Sequence, residues 1–450
     1  NMVIMGALAH LVNMPHEYLE EFVEKRFNRG RTGDDEIIRS NIQALGLGRE
    51  HISTSGFSLG DLAPAQKPDY PQLMIKGNEA LSLGAIAGGL DYYVGYPISP
   101  ATPILLYMER NLIGKDRFAY QVSSEIESIT SILGAGYAGK RAMTATAGPG
   151  ISLMSEGLGL SWVAEIPLVV VDVQRGGPAT GLPTKTEASA LMLAMYGRHG
   201  EAPLPIVSAN TPADCFYMAI EAARIALTHR TPVILLSDGY LANSSEPWRI
   251  PDVASLAPIP VEFATGPNQT NEDGDGVFWP YLRDDLLARQ WAIPGTPGLM
   301  HRIGGIEKED GTGNISYDPE NHRHMVDLRR ARVQRVEVPD AEVVGVKDPD
   351  LLMVGWGSTW GAITGAVGRA CRAGHRVGHL HLRHLNPLPA NLGDLLGRSE
   401  KVLVAEINLG QMSQILRAEY LVDARTVSKV TGQPFTAAEL DGIIREALDV

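Results

Sequence analysis

Residues 169–187 read VVVDVQRGGPATGLPTKTE, an apolar β-branched run that gives way to a Gly/Pro-rich polar loop. The run has the form of a strand buried on both faces of a parallel sheet, and open α/β sheets bind ligands beyond the carboxyl ends of such strands. Arg175 stands where a ligand would sit. Its planar fork suits a carboxylate or a phosphate, Gly176 and Gly177 permit close backbone approach, and Pro178 stiffens the turn. Thr180, Thr184 and Thr186 add hydroxyls to the same loop. Taken alone, the stretch fits a solvated surface arginine as well as a ligand-holding one.

Working outward, strand patterns at 92–97 (YYVGYP), 118–122 (FAYQV), 142–147 (AMTATA), 167–173 (PLVVVDV), 205–209 (PIVSA) and 232–238 (PVILLSD) alternate with helical stretches such as EALSLGAIAGG and ADCFYMAIEAARIAL. The alternation predicts a mostly parallel, doubly wound α/β domain over residues 76–245, with helices on both faces. A second, smaller α/β set occupies 336–450: LLMVGW, WGAITGAVGRACRAG, HRVGHLHL, EKVLVAEI and two closing helices. Between them, residues 246–335 are rich in Pro, Gly, Asn and Asp with little periodicity, which predicts an extended arm or insertion packed on another surface. Residues 1–52 read as helices, the last (EIIRSNIQALGLG) closing on glycine, and residues 53–75 as a polar, Pro-rich linker.

The chain's 450 residues carry 52 acidic and 39 basic side chains, a net charge of −13, with no dense Lys/Arg block. Nucleic acid is thereby excluded as a partner. No apolar run approaches the roughly 18 residues of a membrane span, and no charged-then-apolar leader opens the chain. Cys215 and Cys371 stand in helical patterns, too few for a disulfide framework, an iron–sulfur cluster or a Cys-rich zinc site, so a reducing cytoplasm fits.

Several motifs have the letters of a site without its context. GFSLG at 56–60 matches a nucleophile elbow, but polar residues precede it and a Pro-rich linker follows. GAGYAG at 134–139 ends a helical pattern where a dinucleotide fingerprint would open one. EDGDG at 272–276 lies in the irregular arm without a downstream asparagine at diphosphate-motif spacing, and reads as a surface turn. His379 and His381 share a strand face, but no carboxylate or cysteine in that segment completes a metal set.

Three stretches fall at strand ends of the same sheet as Arg175. Ile98-Ser99-Pro100 follows YYVGYP and presents a hydroxyl. SSEIES follows FAYQV, with Ser124 and Glu127 at capping-box spacing and Glu125 in the first helical turn. Gly148-Pro149-Gly150 follows AMTATA, with Pro149 suited to a first helical position and backbone N–H groups free nearby. Glu125 alone need do no more than complement a helix dipole, worth under about 1 kcal/mol. Four polar turns at one sheet edge favour a site.

YPISP, QVSSEIES, ATAGPG, the Arg175 loop with YGRHGE, then IGGIEKEDGTGNISYDPENH and AEINLGQ together make the chain, from about residue 78 to the end, resemble the α subunit of the 2-oxoacid:ferredoxin oxidoreductases, in the 2-oxoglutarate (KorA-type) branch. The resemblance implies a thiamine-enzyme pyrimidine-binding-like domain and a transketolase C-terminal-like α/β domain. Residues 1–52 resemble the end of a γ-type domain whose front portion is absent. It further implies CoA-dependent oxidative decarboxylation of 2-oxoglutarate with ferredoxin as electron acceptor. A β subunit, in an αβ or (αβ)2 assembly, would bring Mg2+ and a [4Fe-4S] cluster to a shared thiamine diphosphate. By the same match, Glu125 is the catalytic glutamate toward the aminopyrimidine, and Tyr96, Pro97, Ile98 and Gly148 contact the cofactor. Ser99 (a threonine in many relatives), Arg175 and Thr184 are matched to the 2-oxoacid. Ser123 and Ser124 stand where relatives often carry acids. A dicarboxylate needs a second cation, for which Lys185, Arg198, His199 or a partner side chain are candidates. Pyruvate or a branched-chain 2-oxoacid as substrate, and a non-catalytic scaffold subunit, are the alternatives.

Overall fold

The structure is a computed structural model that describes residues 1–61 and 68–449, so the centre of the expected linker, residues 62–67, lies outside the described residues. It divides into two compact units, Asn1–Pro71 and Gln72–Val450. The first contains α1 (Met2–Leu11), α2 (Glu17–Phe27) and α3 (Asp34–Ser55). Helix α3 does not close at Gly48 as its sequence suggested. It runs on to Ser55 and ends at Gly56, in the left-handed region with φ +67°. Gly48 serves packing instead: a Cβ there would lie 1.8 Å from the Val3 carbonyl oxygen, so α1 and α3 touch backbone to backbone. The GFSLG stretch follows this helix, without the strand and helix an elbow requires, and the Ser58 hydroxyl accepts from the Gly60 N–H.

The second unit opens with β1 (Gln72–Lys76), a strand inside the stretch expected as linker, and α4 (Gly77–Ala87). There follow β2 (Tyr92–Gly95), α5 (Thr102–Asn111), β3 (Phe118–Gln121), α6 (Glu125–Tyr137), β4 (Ala142–Thr146), α7 (Gly148–Ala164) and β5 (Leu168–Gln174). Next come α8 (Leu191–Tyr196), β6 (Ile206–Ser208), α9 (Asp214–His229), β7 (Pro232–Asp238), α10 (Gly239–Asn243) and β8 (Ser245–Arg249). The expected strands β2 to β7 form a parallel sheet in the order β6-β7-β5-β4-β2-β3. Strand β5 shows why its sequence is apolar at successive positions. Leu168 and Val170 enter a core with Ile129, Ile151 and Met154 of α6 and α7, whereas Val169, Val171 and Val173 enter the opposite core with Leu81 and Phe216 of α4 and α9. Each such side chain contributes roughly 1.5–3 kcal/mol of burial.

Residues 246–335 are less irregular than their composition implies. Strand β8 pairs antiparallel with β1, a short hairpin of β9 (Gln269–Thr270) and β10 (Gly276–Val277) turns through the EDGDG stretch, and α11 spans Pro319–Gln334. Helix α11 is hidden in the sequence because charged side chains supply much of its buried face: Arg329 and Arg332 are buried beside Met325 and Val333. Arg332 Nη1 lies 2.6 Å from Glu165 Oε2, and Arg283 reaches the same carboxylate, pinning this segment to the end of α7. Burial opposes ionisation of Glu165, but the Arg332 and Arg283 guanidiniums overcome it and hold the carboxyl below its ordinary range.

The second α/β domain comprises β11 (Val343–Gly345), β12 (Leu351–Trp356), α12 (Trp360–Arg372), β13 (Val377–Leu382), β14 (His384–Asn386), α13 (Leu392–Gly397), β15 (Lys401–Glu406), α14 (Gln411–Tyr420), β16 (Ala424–Ser428) and α15 (Ala437–Leu448). Its sheet runs β11-β13-β12-β15-β16, antiparallel at β11 and parallel elsewhere. Strand β14 leaves it and pairs antiparallel with β6, giving the first sheet a seventh strand. Arg383 pairs with Asp214, and His384 with Glu221 at 2.9 Å, beside this junction. No helix among the described residues is long and apolar enough to cross a membrane.

Candidate active site

In the first sheet the chain steps from β2 outward to β3 and then returns to the other side of β2 with β4. Such a reversal leaves a crevice at the carboxyl ends of the flanking strands. Glu125 is the first residue of α6, and the helix starts there because the Ser124 hydroxyl accepts from the Glu127 N–H at 3.1 Å. The reciprocal half of the expected capping box is displaced by one residue. Glu127 takes the backbone N–H and hydroxyl of Ser123, at 2.8 and 2.6 Å, leaving Glu125 alone at the crevice. The residue is only 6% exposed, and its carboxyl group has no hydrogen-bond or ion-pair partner among the described residues. The start of α7 forms the facing wall. A Cβ at Gly150 would lie 2.8 Å from Glu125 Cγ and 1.9 Å from Thr146 Oγ1, so this helix seats against the glutamate only with glycine there.

Arg175 follows β5, two ladder positions from β2, yet its Nη1 donates to the Ser99 carbonyl at 2.6 Å. The turn of Tyr96, Pro97, Ile98 and Ser99 after β2 therefore reaches across the end of β4, a span of roughly 10 Å. Asn78 of α4 donates to the Pro100 carbonyl at 2.9 Å and fixes the turn's far side. The Ser99 hydroxyl is exposed, and Arg175 Nε is buried without a partner among the described residues. Glu125 and Arg175 thus approach the end of β4 from its two sides: the acid through Gly150, the guanidinium through Ser99.

The loop after Arg175 doubles back on itself. Leu182 N–H donates to the Gly176 carbonyl at 2.8 Å and Gly176 N–H to the Lys185 carbonyl at 3.1 Å, while Gly181 supplies the positive φ (+53°) of the turn. Thr184 and Lys185 are exposed, whereas Thr186 is buried and donates to Asp238 at 2.9 Å. The Lys185 stem rests on Gly432 of the second α/β domain. A family model described as pyruvate flavodoxin/ferredoxin oxidoreductase, thiamine diphosphate-binding, matches residues 83–314. The chain is 48% identical to the 2-oxoglutarate oxidoreductase subunit KorA of Mycobacterium tuberculosis, across all of this chain and 68% of that protein.

This chain belongs to the 2-oxoacid:ferredoxin oxidoreductase α subunits. It is also 30% identical to subunit alpha of 2-oxoacid:ferredoxin oxidoreductase 2 from Aeropyrum pernix, over 100% of this chain and 72% of that one. A solved structure of the 2-oxoglutarate:ferredoxin oxidoreductase from Magnetococcus marinus, with 2-oxoglutarate, coenzyme A and succinyl-CoA bound, matches with a TM-score of 0.90 and 34% identity, covering 99% of this chain and 77% of that one.

Two candidate cations of the α subunit are placed elsewhere. Arg198 spends its guanidinium on the carbonyls of Ala194, Met195 and Ala202, and burial brings its pKa down to about 10. His199 is exposed beside Glu156. His379 and His381 hydrogen-bond to each other at 3.2 Å in a row running from Thr364 to the Gly357 carbonyl, and burial lowers both pKa values. No group of three His, Cys, Asp or Glu residues among those described is placed to hold a metal ion. Asp172, concealed in the apolar run of β5, is the polar residue that sequence reasoning missed. It sits across from Thr146 in the ladder, neither carboxyl oxygen has a partner among the described residues, and burial pushes its pKa up to about 8.

Proposed function

We propose that the chain is the α subunit of a thiamine-diphosphate-dependent 2-oxoglutarate:ferredoxin oxidoreductase, converting 2-oxoglutarate, CoA and oxidised ferredoxin to succinyl-CoA, CO2 and reduced ferredoxin. The observation that carries the reading is Glu125: a buried residue whose carboxyl group has no partner among the described residues, at the sheet's reversal point, walled by Gly150. That environment fits an aminopyrimidine, whose ring nitrogen would supply the missing partner. When bound, thiamine diphosphate supplies a nucleophilic carbon and a sink for the electrons left by decarboxylation. Glu125 would hold and move the proton at the ring nitrogen, Gly148 and the Tyr96–Ile98 turn would help hold the cofactor, and Arg175 would take the 2-oxoacid carboxylate beside Ser99 and Thr184. Lys185, whose ammonium has no partner among the described residues, is free to take the distal carboxylate of a dicarboxylic substrate.

The two cysteines fall far short of a cluster ligand set, which supports a β subunit as the source of the [4Fe-4S] cluster and the Mg2+. Purified α with its β subunit is expected to reduce a viologen dye with 2-oxoglutarate only when CoA is present, and to prefer 2-oxoglutarate to pyruvate in kcat/KM. Absence of CoA-dependent reduction with any 2-oxoacid would refute the function, and a preference for pyruvate would refute the substrate.

A further inference from the structure

The loop after β15 reads INLGQ, residues 407–411, and its position at the carboxyl end of a parallel strand is where an α/β domain ordinarily binds a ligand. Here its helix-terminal N–H groups are already taken. Met412 and Ser413 donate to Glu406, and Gly410 and Gln411 donate to Asn408 Oδ1. The polar groups that remain face the first domain. Asn408 Nδ2 donates to the Ala188 carbonyl at 2.9 Å, and Ala188 N–H donates to the Ile407 carbonyl at 3.1 Å. Gln411 Nε2 donates to the Ser189 carbonyl at 2.7 Å and its Oε1 accepts from Met192 N–H at 2.9 Å. Residues 188–192 lead directly out of the Thr184–Lys185–Thr186 stretch, and Gly432 meets the Lys185 stem, where a Cβ would come within 2.8 Å.

From these contacts we infer that Asn408 and Gln411 are positioning residues for 2-oxoacid binding: the second α/β domain forms the outer half of the substrate loop and sets where Arg175, Thr184 and Lys185 stand. The first domain holds the segment through Gln174, which accepts from Ala190 N–H at 3.0 Å, and through Thr186 on Asp238. Without the second domain's amides, the backbone of 188–192 would lose partners in a buried junction, and the loop would sample other geometries. The inference rests on the proposed function for its consequence in catalysis, but the loop's order is measurable without turnover.

The test uses the complete α–β complex. Gln411→Ala is expected to raise KM for 2-oxoglutarate about tenfold, the scale of one net hydrogen bond, with kcat and thiamine diphosphate affinity within about twofold of the parent. Gln411→Glu, which keeps the acceptor for Met192 and loses the donor to Ser189, is expected to fall between. Amide exchange across residues 176–190 is expected to quicken about tenfold in Gln411→Ala, with β4 and β5 unchanged. Unchanged loop exchange in Gln411→Ala overturns the inference, as does a parallel fall in kcat and cofactor affinity at unaltered KM. If Arg175→Ala leaves KM unaltered while loop exchange in Gln411→Ala still quickens, the positioning role stands and the assignment of the loop to the 2-oxoacid falls.

Discussion

Each α/β domain places a glutamate at the carboxyl edge of its parallel sheet, and the two are treated in opposite ways. Glu406, at the end of β15, accepts from four donors: Trp356 Nε1, Asn408 Nδ2 and the backbone N–H groups of Met412 and Ser413. Glu125, at the start of α6, accepts from none among the described residues although it is almost as deeply placed. A folded chain normally satisfies its buried polar groups, so the contrast sets a glutamate that completes its own domain against one that its own domain leaves unpartnered, which supports the role proposed for Glu125. The same division runs through the surroundings: Asp172, Thr146 and Arg175 Nε are left unpartnered around the first crevice, while Asn408 and Gln411 are fully engaged at the second.

The sharpest way to break this comparison is the same conservative change at both positions. Glu125→Gln removes the titrating proton and keeps the shape, so kcat of the complex is expected to fall 10²- to 10⁴-fold, with the thermal midpoint within a degree or two of the parent. A variant of near-normal activity would identify a scaffold subunit. Next in size is the pH dependence set by Asp172. Its folded pKa of about 8 lies above an unfolded value near 3.8, so the native state retains a proton that the unfolded chain has released between those limits. The contribution of this group to stability is therefore fullest below about pH 4, declines as pH rises toward 8 and is level above it. Asp172→Asn is expected to remove on the order of 3 kcal/mol of that decline, read as a smaller shift in urea midpoint between pH 5 and pH 8.

Glu406→Gln should do the reverse of Glu125→Gln. Losing a charge that receives four hydrogen bonds is expected to cost about 2 kcal/mol and several degrees of thermal midpoint, while kcat per folded complex stays within about twofold. The smallest effect is assigned to Lys185→Ala, with a roughly tenfold drop in kcat/KM for 2-oxoglutarate relative to pyruvate. An equal change for both substrates would remove Lys185 from the recognition of a distal carboxylate.

Much of this was legible in the chain itself. Short apolar runs alternating with helical stretches located β2 to β7, and the polar turns beyond them located Ser99, Glu125, Gly148 and Arg175 at one sheet edge. What escaped did so for identifiable reasons. Helix α11 was masked because arginines occupy core-facing positions, their charge compensated by Glu165 and Glu307 from outside the helix. Asp172 was masked by the valines around it, and its raised pKa arises from burial that a single strand cannot reveal. Arg198 looked available because sequence does not show three carbonyls converging on it. The pairing of Asn408 and Gln411 with Ala188, Ser189 and Met192 joins residues more than two hundred positions apart, beyond the reach of any local pattern.

The excursion of β14 into the first sheet has a practical corollary for dissecting the protein. Any expression boundary placed between the two α/β domains ahead of residue 384 strips β6 of its outer neighbour and leaves a bare, apolar sheet margin prone to self-association. A soluble fragment retaining the pyrimidine-binding-like half must therefore carry the chain through residue 386, or be given a substitute peptide of three or four residues to cap that margin.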